Sequence, residues 1–303
     1  MAIHYYRIGY AQQLDFDDDA DAALRLIHAS GRGVRVRIPV GWISFLMPLS
    51  GRLELESQDA AWTLSPGDAL LWREGPLRCA ASAQSLWLSL CGPPEAWKQH
   101  LRASRYGAMP DLFPNESVCP RAARRLLVRL ACIAKGSPNK RDAMNVIADA
   151  FCDALIDSQA DLQQRVQRCS GRTLRRRQQT LLRLLRVQLL IQHHQDGRLN
   201  LQRLAKTASY SPCHLVRVFR EVFDETPSEY ASRLRFDRAW KLVRETQMPI
   251  CEITEALGFE SQSAFCRAFK STYGVTTTQA RQLANLPVTR IPAAARSQAP
   301  RAA

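Results

Sequence analysis

The 303-residue sequence contains no run of the ~20 apolar residues that a membrane-spanning helix needs. Its first 21 residues lack the apolar core of a secretory signal and turn acidic at Asp15, so a cytoplasmic protein is expected. Histidine is scarce: only six are present, and the three before residue 190 (His4, His28 and His100) are too far apart to form a paired metal-ligand set. The nine cysteines are scattered and form no C-x-x-C pair, so neither a zinc site nor a disulfide framework is expected. No catalytic residues, metal or cofactor are expected from this inventory, and a metal-dependent enzyme is disfavoured.

What the sequence does have is positive charge on one side. The net charge is +14, but residues 1–120 carry 11 Lys/Arg against 13 Asp/Glu, leaving 31 basic and 15 acidic residues for 121–303. A near-neutral half joined to a strongly basic half reads as a sensor or partner module fused to a polyanion binder. Charge alone leaves RNA and anionic membranes open beside DNA. The length allows two domains, each with its own core.

Residues 1–118 read as mainly β. From Gly41 to Gly75, short β-prone segments are punctuated by Ser50-Gly51, Gln58-Asp59 and Ser65-Pro66-Gly67-Asp68, the spacing of a small antiparallel barrel or sandwich. The acidic stretch 15–21 reads as a solvated loop. Two amphipathic helices follow at 121–135 and 141–157, the second with Met144, Ile147, Ala148, Phe151 and Leu155 on one face. The two are joined by the breaker Gly136-Ser137-Pro138-Asn139, and their apolar faces suit packing on the barrel or a dimer seam. Residues 159–178, polar and Arg-rich, read as a linker. Residues 179–286 are densely helical, and the Pro/Ala/Arg tail 287–303 reads as disordered.

The helical region contains a repeat. Leu201, Leu204 and Ala208 match Ile250, Ile253 and Leu257 at an offset of 49. After a one-residue slip, Leu215, Arg217, Phe219, Arg220 and Phe223 match Phe265, Arg267, Phe269, Lys270 and Tyr273 at an offset of 50. Each copy reads helix, tight turn, helix. In the first copy Ser209-Tyr210 turns the chain, and Ser211 caps a helix with Pro212 at its first position. In the second, Gly258 turns the chain and Ser261 or Glu260 caps the next helix. The second helix of each copy buries one stripe (Leu215, Val218, Phe219 and Val222; then Phe265, Ala268 and Phe269). Cys213, Val216, Arg217 and Arg220, and then Gln262, Ser263, Arg267 and Lys270, are left outside, with small Ala264 near the helix start. This is the disposition that major-groove reading requires. A joining helix of about 18 residues would hold the two units ~27 Å apart.

The stretches LAKTASYSPCHLVRVFREVFDETPSEYASRLRFDRAWKLVRET and PICEITEALGFESQSAFCRAFKSTYGV resemble the AraC/XylS family of bacterial regulators over about residues 181–281. The resemblance implies a seven-helix bipartite DNA-binding domain. By position it implies base contacts from Cys213, Val216 and Arg217, and from Gln262, Ser263, Ala264 and Arg267, with His214, Arg220 and Lys270 completing the DNA-facing surface. The sequence departs from the family pattern at Ser209-Tyr210, where Gly-Leu is usual, and at Asp224, where Gly is preferred. Thr277 and Ala280 replace the usual Pro and Tyr, which predicts a less firmly docked last helix. LSGRLELES and TLSPGDALLW resemble the cupin-like sensor barrel of the same family. The expected fold is therefore an N-terminal cupin-like β-barrel with a helix pair, followed by an all-α double helix-turn-helix domain.

The function so implied is a signal- or ligand-responsive transcription activator. Its expected partners are double-stranded DNA, RNA polymerase, a small-molecule effector and a second copy of the chain, with no membrane. Two alternatives remain at this stage: a non-metal cupin enzyme on a DNA-binding tether, and an architectural DNA-binding protein. Of the six tryptophans, Trp42, Trp62, Trp72, Trp87 and Trp97 lie in the first half, where core packing and lining of an effector pocket are both open. Cys213 could serve as a thiol switch. His193-His194 suit the C-terminal end of a helix, and Arg175-Arg176-Arg177 suit either a solvated linker or phosphate contact.

Overall fold

Within the N-terminal half, Val34, Val36 and Ile38 are buried while Arg35 and Arg37 are exposed, the alternation of a strand wetted on one face. Ser85–Gly92 and Ile43–Ser50 are instead buried at nearly every position, as strands covered on both faces must be. The computed structural model, which describes residues 3–16, 21–57, 61–73, 75–101, 111–136, 141–193 and 200–284, shows the cause.

The strands are β1 (Ile3–Ile8), β2 (Gln13–Asp15), β3 (Leu24–Gly31), β4 (Val34–Ile38), β5 (Ile43–Ser50), β6 (Leu53–Glu56), β7 (Ala61–Leu64), β8 (Asp68–Arg73), β9 (Leu77–Ala81), β10 (Ser85–Gly92) and β11 (Asn115–Val118). They form a six-stranded sheet in the order β1-β3-β10-β5-β8-β11 and a five-stranded sheet in the order β2-β4-β9-β6-β7. Between the sheets lies an apolar core that includes Ile27, Val36, Leu46, Leu70 and Trp87. The outer face of the six-stranded sheet carries a second core, where Phe45, Met47, Leu88 and Leu90 meet the short α1 (Pro94–Lys98), α2 (Arg121–Gly136) and α3 (Arg141–Ser158). Phe45 and Phe151 pack edge to face at 5.2 Å. The apolar faces of α2 and α3 are thus turned to the sheet.

The expectation of a purely antiparallel unit is corrected: β1 pairs with β3, and β2 with β4, in parallel. Asp15, assigned to a solvated loop, ends β2 and pairs with Arg37 at 3.6 Å, and the neighbouring Phe16 is buried; residues 17–20 of that acidic stretch lie outside the described residues. So do the Gln58-Asp59 turn, residues 137–140 of the helix breaker, His194 and the tail 287–303.

Residues 159–178 hold α4 (Ala160–Arg165), a 3-10 turn (Val166–Arg168) and the start of α5 (Leu174–His193). A few apolar anchors in this polar stretch dock it, because Val166 and Cys169 are buried in the same core as Leu181 and Leu185. Phe113, from the segment before β11, enters that core and is fully buried. Gln159 grips its backbone at both ends: its side-chain carbonyl accepts from Phe113 N at 3.0 Å and its amide donates to Phe113 O at 2.7 Å. Gln163 adds a bond to Asp111 O at 2.7 Å.

The remaining helices are α6 (Leu201–Ala208), α7 (Pro212–Phe223), α8 (Pro227–Glu245), α9 (Ile250–Ala256), α10 (Gln262–Tyr273) and α11 (Thr277–Ala284). With α5 they make seven among the described residues, the number the resemblance implies. Two cores divide them. One gathers α5, α6, α7 and Tyr230 of α8; the other gathers Ala239 and Val243 of α8 with α9, α10 and α11. At ~1.5 Å per residue α8 is ~28 Å long and serves both. The expected looseness of α11 is not what the packing shows. Ala280 is fully buried against this second core, and Arg281 donates to the carbonyls of Val243 and Met248.

Ser209 (φ 57°) and Asp224 (φ 64°), the two places where the family pattern has glycine, both adopt the left-handed conformation, which costs a non-glycine residue about 1–2 kcal/mol. Asp224 is partly compensated by an ion pair with Arg168 at 2.5 Å. Ser209→Gly should therefore stabilise the fold by about 1 kcal/mol, read as a higher urea midpoint, whereas Asp224→Gly should be near neutral. Gln159→Ala would strand two buried backbone groups and should cost about 2–4 kcal/mol in the same assay.

Candidate DNA interface

The second helix of each helix-turn-helix copy begins with a local capping device. Asn200 accepts from Arg203 N at 3.0 Å to start α6, and Ser211 accepts from His214 N at 3.3 Å to start α7 behind Pro212. In the second copy Ser261, rather than Glu260, is the cap of α10 and accepts from Ala264 N at 3.1 Å. Gly258 (φ 68°) makes the preceding turn. Helix α8 opens with a reciprocal box: Glu229 N donates to Thr226 Oγ1 and Thr226 N donates to Glu229 Oε2. The Thr226 backbone N–H holds the Glu229 carboxyl below its ordinary value, so this cap is complete at neutral pH and is lost on acidification.

Inward and outward faces of α7 and α10 are well separated. In α7, Leu215, Val218, Phe219, Val222 and Phe223 are buried. Cys213, Arg217 and Arg220 are exposed, and His214 and Val216 are half-buried. In α10, Phe265 and Phe269 are buried, packed 5.7 Å apart, with Phe269 stacked on Trp240 of α8. Gln262, Ser263, Arg267 and Lys270 are exposed and Ala264 is half-buried. Ala268, expected inward, is half-buried: Phe265 and Phe269 fill the core beside it. Cys213, Arg217 and Arg220 on α7, and Ser263, Arg267 and Lys270 on α10, fall three or four apart, one stripe on each helix, with Gln262 beside Ser263.

The two stripes differ in what already engages them. Arg217 Nη2 lies 3.1 Å from His214 Nδ1 and its Nε is 4.0 Å from Glu221, while Arg220 pairs with Glu229 at 3.1 Å. On α10, neither the Arg267 nor the Lys270 side chain makes a hydrogen bond or ion pair among the described residues. The linker contacts fall away from the reading end of α7, since Arg165 donates to Val222 O at 3.0 Å and Arg168 pairs with Asp224. Arg175 and Arg176 are exposed at the start of α5, but Arg177 is engaged with Gly171 O and Gln167. Cys213 is exposed beside His214, and burial pushes the thiols of Cys119 and Cys169 up to about 11. Among the described residues no group of three or more His, Cys, Asp or Glu could hold a metal, and no helix is long and apolar enough to cross a membrane.

A second set of contacts was not anticipated from the sequence. His193, read as a residue suited to the end of a helix, sits at the end of α5 with its ring stacked on Trp62 of β7 at 4.6 Å. Its Nε2 is 2.8 Å from Glu116 Oε2 of β11. Of the N-terminal tryptophans, Trp87 and Trp97 are fully buried, and Trp62 and Trp72 lie together at this seam, 5.6 Å apart. The only advance signal was a tryptophan and a histidine on elements whose meeting depends on tertiary docking.

Two capped helices of matching length, each offering a polar and basic stripe opposite its own aromatic core and joined by a shared strut, define a tandem helix-turn-helix DNA-binding protein. Residues 204–283 match a family model described as a helix-turn-helix domain. The regulatory protein SoxS of Salmonella typhimurium is 36% identical over 91 residues, covering 30% of this chain and 85% of that protein. The chain belongs to the AraC/XylS family of transcriptional regulators. It is also 29% identical over 98 residues to LumQ of Photobacterium leiognathi, a probable transcriptional regulator, with 32% of this chain and 40% of that protein covered. CdhR of Pseudomonas aeruginosa is 33% identical over 91 residues, 27% of its length and 30% of this chain; the chain thus matches less than half of these two relatives. Among solved structures, the C-terminal domain of the response regulator AraT of Geobacillus stearothermophilus aligns with 27% identity over 36% of this chain and 91% of that chain, at a TM-score of 0.32.

Proposed function

We propose that this protein is a sequence-specific transcription regulator whose α7 and α10 enter adjacent major grooves, with its N-terminal half as the sensor of a small-molecule signal. The observation that carries the reading is the pair of capped helices with outward stripes at Cys213, His214, Val216, Arg217 and Arg220 and at Gln262, Ser263, Ala264, Arg267 and Lys270. The partners it requires are double-stranded DNA and RNA polymerase, with activation as the mode. The place of action is the cytoplasm, and no catalysis is involved. In this reading residues 1–118 form the sensor unit, 119–158 the helix pair first considered for dimerisation, and 179–286 the DNA-binding unit, with 159–178 as a docked connector.

Direct readout should rest mainly on the second unit. Arg267 can donate a bidentate pair to guanine and Gln262 can pair with adenine, and Arg267 gives up no internal partner to do so. Cys213 and Val216 offer thymine-methyl and apolar contacts at most. Arg267→Ala should cost about 1–3 kcal/mol of affinity for a selected duplex and relax preference at one or two base pairs. Lys270→Ala should weaken all sequences alike and lower the salt slope by about one ion. Competition binding against random-sequence DNA, on variants shown by circular dichroism to be folded, separates the two roles. If Arg267→Ala weakens random and selected DNA equally, it is not a base reader.

A homodimer was expected from the apolar faces of α2 and α3, and these faces are covered by the six-stranded sheet. What they leave outward is mostly charged, Arg121, Arg124, Arg125 and Arg129 on α2, beside exposed Val146 on α3. Light scattering of the free protein at tens of micromolar should therefore report the monomer mass of 34.2 kDa. A stable dimer without DNA would show that this outward face is an interface.

A further inference from the structure

We infer that the outward face of α2 is a second DNA contact, a stripe of guanidinium groups that takes the phosphates of duplex flanking the two grooves met by α7 and α10. The inference rests on the DNA-binding reading above and extends it to the N-terminal half.

Arg121, Arg124, Arg125 and Arg129 are exposed, and at about 3.6 residues per turn they fall with Lys135 on one side of α2, opposite the buried Ala123, Leu127 and Leu130. None of these five basic side chains makes a hydrogen bond or ion pair among the described residues. Several other exposed arginines of the chain are paired, as Arg168 is with Asp224, Arg220 with Glu229 and Arg233 with Glu225. The α2 stripe shares its lack of acidic partners with Arg267 and Lys270 on α10.

This arrangement is unfavourable for α2 by itself. Arg121, Arg125 and Arg129 stand four apart, a spacing at which like charges repel. Arg121 and Arg124 also lie in a first turn that holds no acid, where the helix dipole disfavours cations. A line of phosphates removes both penalties at once. The positive surface continues past the end of α2: the His28 imidazole is pushed below its ordinary value first by burial and then by Arg7 of β1 and Lys135.

The chemistry of the face selects the partner. Guanidinium forks match phosphate oxygens bidentately. An interfacial membrane helix inserts its apolar side, and that side of α2 is covered by the six-stranded sheet. A protein partner needs apolar or aromatic anchors, whereas the uncharged residues outward here are Ala122, Cys132, Gly136 and the half-buried Val128. The exposed acids of the neighbouring α3, Asp142, Asp153 and Asp157, form no ion pair with these cations among the described residues. They repel DNA, which keeps the phosphates along α2 rather than across both helices.

Helix α2 lies over β10 and β1, whereas α5, the first helix of the DNA-binding unit, meets β11 at the opposite edge of the same sheet. With strands ~4.8 Å apart, three to five spacings put the stripe ~15–24 Å from that edge. Its phosphates therefore belong to DNA outside the two grooves.

Titrations of the full chain against a random-sequence duplex of about 60 base pairs, several helical turns long, test the proposal over a series of salt concentrations. The triple variant Arg124→Gln, Arg125→Gln and Arg129→Gln should lower the slope of log affinity against log salt by about 2–3 ions. Near about 0.1 M salt it should bind at least about tenfold more weakly. The matching triple replacement by lysine should keep most of the slope, because it keeps the charges; a merely structural role would not be rescued in this way. On a selected duplex trimmed to about 20 base pairs, two helical turns, the glutamine triple should bind as wild type does. An unchanged slope on the long duplex would overturn the proposal, and so would an equal loss on the trimmed one. Light scattering that showed a wild-type dimer and a monomeric glutamine triple would assign the stripe to the acidic α3 of a second copy, and would overturn it too. Failure to select any duplex would count against α7 and α10 as base readers, while the random-sequence arm would still decide the α2 contact.

Discussion

Phe113 holds the two halves of this molecule in one arrangement. It belongs by sequence to the β unit, just before β11, yet its ring is fully buried among Val166, Leu181, Leu185 and Val218 in the core of the first helix-turn-helix unit. Burying such a side chain is worth roughly 2–3 kcal/mol, and the double grip of Gln159 on its backbone removes the polar penalty of placing a loop there. The Trp62–His193 stack and the bonds from Arg165 and Arg168 to the end of α7 act around this anchor. Helix α7 is therefore fixed relative to the sheets, while the second core is tied to the first chiefly through α8. Any change in how α5 sits on the sheets is carried to α7 directly and to α10 by way of a helix shared between two cores.

Much of the DNA-binding half was legible because its signals are local. Caps at Ser211 and Ser261, proline at the first position of α7, a glycine turn at Gly258 and aromatic stripes at a spacing of three and four residues depend only on neighbours along the chain. The internal repeat then supplied each reading twice. The two positions that break the family's glycine preference, Ser209 and Asp224, keep the left-handed geometry expected of glycine there, so the shape of both turns is preserved. In the second core, Ala280 and Arg281 show that a helix can be docked by a small residue and a guanidinium reaching two carbonyls, a solution that residue type alone does not announce.

The β half was legible only in outline. Alternation in Val34–Ile38 and the turn at Pro66-Gly67-Asp68 mark strands locally, but strand partners are set by contacts far apart in sequence, and the parallel pairs β1–β3 and β2–β4 left no local trace. Double coverage of β5 and β10 erased the alternation that identifies a wetted strand. The connector was hidden by its own composition: arginines and glutamines outnumber the three apolar anchors, Leu162, Val166 and Cys169, that dock it. The seam was least legible of all, since Trp62, Glu116 and His193 gain their relation only after both halves have folded and met.

The central claim is that two reading helices on one strut address two successive turns of DNA. Methylation protection on a duplex obtained by selection from a random library tests it most directly. The account predicts two clusters of protected guanines whose centres lie about 10 base pairs apart on one face of the helix. Protection confined to a single major groove, or spread evenly along the duplex without clusters, would contradict it.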